Sequence, residues 1–175
     1  MRANYPKLAF AVAASMYFLW IAYDPMLGSF LDLVDLPIHE AGHLIFLPLG
    51  EFPGVAGGTL LQLIIPAAFV AYFAFNGKKY SAAIVLFWVG QSLLNIYVYA
   101  ADAVVMQLVL LGGLTGSEGG FHDWNYMLSE LGLLPHTKAI AGIIRLSGTI
   151  TIICAGILAV AFSFVKGNVR RFEEI

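Results

Sequence analysis

Residues 31–47 read LDLVDLPIHEAGHLIFL and run straight into Pro48-Leu49-Gly50. The stretch is apolar enough for a membrane interior, yet it carries Asp32, Asp35, His39, Glu40 and His43. Pro37 is suited to open a helix, and Pro48 with Gly50 to close it, which leaves about three turns around His39-Glu40-Ala41-Gly42-His43. A helix needs roughly 20 apolar residues to cross a bilayer core, so this segment is too short for a comfortable crossing. The next residues, Glu51-Phe52-Pro53-Gly54-Val55-Ala56-Gly57-Gly58, are small and are expected to form a loop lining a wet cavity or buried in protein at membrane depth.

The rest of the chain fits that setting. Of its 175 residues, 60% are hydrophobic and 11% charged, with a mean hydropathy of +0.84, far from the balance of a water-soluble domain. Apolar blocks cover residues 8–23, 31–47, 59–75, 81–111 and 139–165, each bounded by Gly, Pro or charge. The expected fold is all-α: one polytopic transmembrane bundle of about five helices over residues 1–175, with the second segment broken or re-entrant. Residues 112–138 form the one long polar linker, in which Asp123 is suited to cap a short amphipathic helix through Leu131, with Trp124 and Tyr126 at the headgroup boundary. Block 8–23 follows Arg2 and Lys7 like a signal peptide, but Asp24-Pro25-Met26 is a poor cleavage site, and a retained helix is expected.

Charge excludes some partners and orients the chain. A net charge of −2 with no long basic run gives no sign of nucleic-acid binding; the bilayer is the expected partner. Arg2 with Lys7, Lys78 with Lys79, and Lys166 with Arg170 and Arg171 form three clusters that the positive-inside rule puts together in the cytoplasm, here of a cell (inner) membrane. Both termini then share a side, and the number of crossings must be even. Cys154 is the only cysteine, which excludes an intramolecular disulfide and any multi-cysteine metal site; core packing is its expected role.

His39 and His43 stand at i and i+4, so on a helix their imidazoles lie one above the other and reach one metal ion, with Glu40 facing the same cavity. Zinc in a catalytic site takes three protein ligands and keeps a position open for water, whose pKa it lowers; Glu40 is then the expected general base. Ionisable groups inside an apolar segment are costly and mark function. Asp102 is the first candidate for the third ligand. Gln91, Asn95 and Asp102 follow i, i+4, i+11 spacing on one face of block 81–111, and a buried carboxylate wants a cation. His122 is the next candidate and Asp123 the one after. Arg145, inside the last block, is expected to snorkel or pair with Asp102, Asp32 or Asp35, and the two latter acids to flank the start of the His39 helix.

This pattern resembles the site-2-protease family of intramembrane zinc metalloproteases, in which HExxH on one transmembrane helix is completed by an aspartate of a later helix within an asparagine-to-Asp-Gly motif. The first motif is complete in His39–His43. The counterpart of the second is Asn95-Ile96-Tyr97-Val98-Tyr99-Ala100-Ala101-Asp102-Ala103, without the family's proline, about one residue short, and with Ala103 in place of glycine. The resemblance spans about residues 36–103. It implies hydrolysis of peptide bonds in transmembrane protein substrates, with Asn95 holding substrate backbone or polarising the carbonyl, and the Gly-rich stretch after His43 as a docking edge. Two other readings stand beside it: a small transporter or channel component passing protons or metal through His39, Glu40, His43 and Asp102, and a non-catalytic relative that binds membrane partners.

Overall fold

A computed structural model describes residues 2–165. Its helices are α1 (Tyr5–Tyr23), α2 (Asp32–Phe46), α3 (Glu51–Phe75), α4 (Lys79–Ala101), α5 (Asp123–Glu130) and α6 (Thr137–Phe162). Four stretches, Tyr5–Tyr23, Glu51–Phe75, Lys79–Ala101 and Leu134–Phe162, are long and apolar enough to cross a membrane. The all-α transmembrane bundle is therefore what the chain forms. α2 is the partial segment among the apolar blocks, with 15 residues, or about 22 Å of helix.

α4 is the centre of the bundle. It packs along α6 through Gly90 and Gly148, where a Cβ on Gly90 would meet Ile152 Cγ1 at 2.6 Å, and α1 closes that side with Phe18 stacked on Phe87 at 5.1 Å. In lipid, helices gain little from hydrophobicity between themselves, so small residues that allow close backbone approach supply the packing. α2 binds α4 through its acids. The buried Asp35 accepts from Trp88 Nε1 at 2.7 Å and Ser92 Oγ at 3.1 Å, half-way along α4, while His39 lies beside Tyr99 near its end. α2 therefore starts at mid-height in the bundle and runs towards the end where α4 stops.

Three expectations need correction. Residues 51–58 are the first turns of α3 rather than a loop, despite Gly54, Gly57 and Gly58. Each glycine costs about 1 kcal/mol in a helix, but here the missing side chains let α3 lie directly on α2. A Cβ on Gly42 would stand 2.2 Å from Gly57 O, and one on Gly57 2.5 Å from Gly42 O. α2 thus covers Gly57 and Gly58, while Gly54 and Val55 of the same stretch line the cavity beside His39 and His43. Pro37 lies inside α2, which begins at Asp32. Block 81–111 is not one helix: α4 ends at Ala101, and Asp102 turns the chain back by accepting from Gln107 N and Leu108 N, both at 2.9 Å. Met106, with φ of 55°, completes that turn, and leads into an apolar hairpin bridged at Val109 and Thr115.

The two ends of the bundle differ in charge. Arg2–Ala3 pairs with Phe164–Val165 as a two-residue antiparallel ribbon, and Tyr80 Oη donates to Lys7 O at 2.8 Å. The start of α1, the α3–α4 turn with Lys78 and Lys79, and the close of α6 therefore share one end, as an even number of crossings demands. Lys166, Arg170 and Arg171 lie outside the described residues. Arg145 forms no ion pair with the acids named for it: its Nη2 donates to Tyr23 O at 3.0 Å and its guanidinium lies 5.3 Å from the Tyr97 ring centroid. Cys154 is exposed on the outer face of α6 rather than packed in the core.

Gly42→Ala should destabilise the protein by about 1–3 kcal/mol, because backbone faces backbone at that contact and neither can yield cheaply. Gly142→Ala, whose Cβ would meet nothing within 4 Å, should leave stability unchanged or slightly raised. Thermal unfolding of both variants in detergent measures the difference.

Candidate metal centre

The register of α2 against α3 builds the site. The helices are antiparallel, and Gly54, Gly58 and Gln62, spaced i, i+4, i+8 on α3, face His43, the gap between the histidines, and His39 in turn. His43 Nδ1 lies 2.9 Å from Gly54 O, and His39 Nδ1 lies 3.1 Å from Gln62 Oε1. Both partners are carbonyl oxygens, which only accept, so each ring carries a proton on Nδ1, and Nε2 is the nitrogen that could serve a metal. Gly58 makes room for those nitrogens. A Cβ there would stand 2.6 Å from His39 Nε2 and 2.7 Å from His43 Nε2.

The third group is Asp123. Its Oδ2 lies 3.0 Å from His39 Nε2 and 3.3 Å from His43 Nε2, and the three donor atoms all fall within 4.8 Å of one another. At these distances a proton on Nε2 joins His39 to Asp123 when no metal is bound, and a shared cation would take that proton's place. Two imidazole nitrogens and a carboxylate suit zinc, and tetrahedral zinc with bonds near 2.1 Å puts its ligands about 3.4 Å apart, close to the spacings seen. The donor set therefore fits a zinc ion. Asp123 is the first residue of α5, whose N-cap is His122 rather than Asp123 itself. Asp123 N donates to Tyr99 Oη at 3.1 Å and Asn125 Nδ2 to Ala103 O at 2.8 Å, which docks α5 on the end of α4.

Asp102 and His122, the first and second candidates for the third ligand, do not join the cluster. The Asp102 carboxylate is committed to the two backbone amides of its own turn, a task that the end of α4 leaves to it. Its Oδ2 also faces His122 Nε2 at 3.4 Å, while His122 Nδ1 accepts from Asn125 N at 3.2 Å. His122 Nδ1 thus holds the start of α5, while the buried Nε2 has no hydrogen-bond partner among the described residues and only faces the Asp102 carboxylate. Burial pushes the His122 imidazole below its ordinary protonation range, and the Asp102 carboxylate pulls it back only in part.

Asn95, expected to touch substrate, lines the cavity of the cluster with both ends of its amide engaged: Oδ1 accepts from Gln62 Nε2 at 2.9 Å and Nδ2 donates to Asp32 Oδ1 at 3.1 Å. Asp32 does flank the start of α2, accepting from Ser29 N at 2.6 Å. Glu40 is half-buried and lines the same cavity as the cluster, with no hydrogen bond to its carboxylate among the described residues. That cavity, about 920 Å³, has the polar cluster on one wall and apolar side chains on the others, among them Leu33, Leu36, Leu44, Leu110 and Phe121. Sequence reasoning passed over Gln62, Tyr99 and Gly58. Gln62 had a signal: it is the only strongly polar side chain between Leu60 and Phe75.

No known protein family, curated protein or solved structure matches the chain.

A zinc ion taken up by this cluster should be lost in Asp123→Ala. Asp102→Asn, which keeps one acceptor oxygen for the turn, should retain it. Metal content of the two purified proteins, measured by elemental analysis against wild type, separates the ligand from the loop anchor.

Proposed function

We propose that this chain is an intramembrane zinc metallopeptidase that hydrolyses peptide bonds of membrane-embedded protein substrates, as its resemblance to the site-2-protease family implies. The observation that carries the reading is the convergence of His39 Nε2, His43 Nε2 and Asp123 Oδ2 at hydrogen-bonding distances, with Glu40 on the adjoining wall. Asp123 replaces Asp102 in the ligand set of that proposal. A zinc ion held there supplies a Lewis acid that polarises a carbonyl and makes water a better nucleophile.

The chain's own groups do the rest. Glu40, uncommitted and one residue from a ligand, takes the proton of the attacking water and returns it to the leaving amine. The apolar walls accept a lipid-soluble segment and keep bulk water from the acyl carbon, where fixed charges then act more strongly. The cluster lies near the end of α4, about one turn from the chain's exit at Ala101, so water has a short path to it. With Lys7, Lys78 and Lys79 on the opposite end, the positive-inside rule puts the site near the non-cytoplasmic face of a cell membrane and the chain's two ends in the cytoplasm.

Glu40→Gln should keep about one equivalent of zinc and lower cleavage of a transmembrane peptide by about 10²–10⁴-fold. A transport site gives a different result: the wild type in liposomes would pass protons or metal ions and cleave nothing. A non-catalytic relative would hold zinc, cleave nothing and pass nothing. Gly58→Ala should lose zinc altogether, since both imidazoles are pinned at Nδ1 and cannot retreat from the added methyl; loss of zinc binding without loss of helical circular dichroism is the expected readout.

A further inference from the structure

Four side chains from three helices form one line of hydrogen bonds ending on a metal-binding histidine. Asp32 Oδ1 accepts from Asn95 Nδ2 at 3.1 Å, Asn95 Oδ1 from Gln62 Nε2 at 2.9 Å, and Gln62 Oε1 faces His39 Nδ1 at 3.1 Å. The direction of this line is set at one end. Asp32 also takes the backbone N–H of Ser29 on Oδ2 and the amino group of Gln91 on Oδ1, so the carboxylate is surrounded by donors and has no hydrogen to give. Asn95 must therefore turn its amino group to Asp32 and its oxygen to Gln62. Gln62, only 2% exposed, must then donate to Asn95 and present its oxygen to His39.

Reversing the line changes the chemistry of His39. Were Gln62 to offer its amino group, His39 Nδ1 would have to accept, the proton would sit on Nε2, and that nitrogen would have no lone pair to give. His43 needs no such chain, because a backbone carbonyl at Gly54 cannot flip. The amide of Gln62 can, and so it requires an anchor.

We infer that Asp32, Asn95 and Gln62 are positioning residues, a one-way relay that holds His39 as the Nδ1–H tautomer and keeps Nε2 free for zinc. The inference rests on the metallopeptidase reading for its consequence, though not for its geometry. It gives Asn95 a task other than touching substrate, and it gives the half-buried Asp32 at the start of α2 a task beyond the helix end.

The test uses the full chain in detergent. Zinc affinity is read by chelator competition, the coordination of Co²⁺ in the same site by its visible spectrum, and the protonated nitrogen of His39 in the metal-free protein by ¹⁵N chemical shifts. Gln62→Leu removes the acceptor and should weaken zinc about 10–100-fold and alter the Co²⁺ spectrum. Gln62→Glu, which can only accept, should bind zinc close to the wild-type value. Asp32→Asn frees the line to reverse and should take part of the proton off His39 Nδ1.

Equal zinc affinity in wild type and Gln62→Leu overturns the relay, as does a Gln62→Glu variant as weak as Gln62→Leu. Should the leucine variant fail to fold, the Asp32→Asn nitrogen shifts still decide: an unchanged Nδ1–H signal at His39 sinks the proposal. A wild type that binds no zinc sinks the metallopeptidase reading instead, and the same nitrogen shifts then judge the relay alone.

Discussion

At its centre the contact between α2 and α3 is backbone on backbone. Gly42 meets Gly57 and Gly58 backbone to backbone, and this closeness governs the geometry around it. It sets the antiparallel register in which the Gly54 carbonyl reaches one histidine and Gln62 the other. It also leaves, over Gly58, the space into which the Nε2 atoms of both imidazoles point. A helix pair one methyl further apart would keep the same sequence motif and lose those geometries. Gly42, at the centre of the motif, is thus as much a part of the site as the residues that carry lone pairs.

Acids rather than cations fix α2 in the bundle. Asp32 and Asp35 lie where a charge is expensive, and among the described residues neither pairs with an arginine or lysine; instead indole, hydroxyl and amide donors of α4 surround them. Neutral donors leave the carboxylates' charge in the site. A segment of 15 residues held this way does not need to reach both faces of a bilayer, which is why the chain tolerates a proline at position 37 in its middle. The buried charge also draws electrostatic benefit from any dication bound nearby, since the low dielectric that makes it costly lengthens its reach.

Much of this was legible in the sequence because lipid imposes a coarse grammar: long apolar blocks are helices, and polar groups within them face inwards. The His39-to-His43 spacing placed the two imidazoles side by side, and Pro48 marked the short second segment. Two features were hidden. Residues 103–111 are as apolar as the helix before them, so hydropathy joined them to α4, and Asp102 looked like a helical residue when its carboxylate in fact ends the helix. Asp123 follows two glycines in a polar linker, where acids are usually solvated; nothing local announces that the apolar hairpin folds back and brings it inside. The glycines after Gly50 misled in the same way, since propensity argued for loop and a long-range contact made them helix.

The delivery of Asp123 has a temporal side. It meets His39 across 84 residues of chain, on a helix of only 8 residues that would not persist alone in water. During synthesis the two histidines can be in place on a finished hairpin long before the carboxylate exists, and α5 then docks through Tyr99 and Ala103. The centre is thus complete only once α5 is seated, and is held by its least autonomous element. On gradual denaturation its donors should separate while α3, α4 and α6 remain wound, so that release of a bound ion, followed with a chromogenic chelator, runs ahead of the loss of helix.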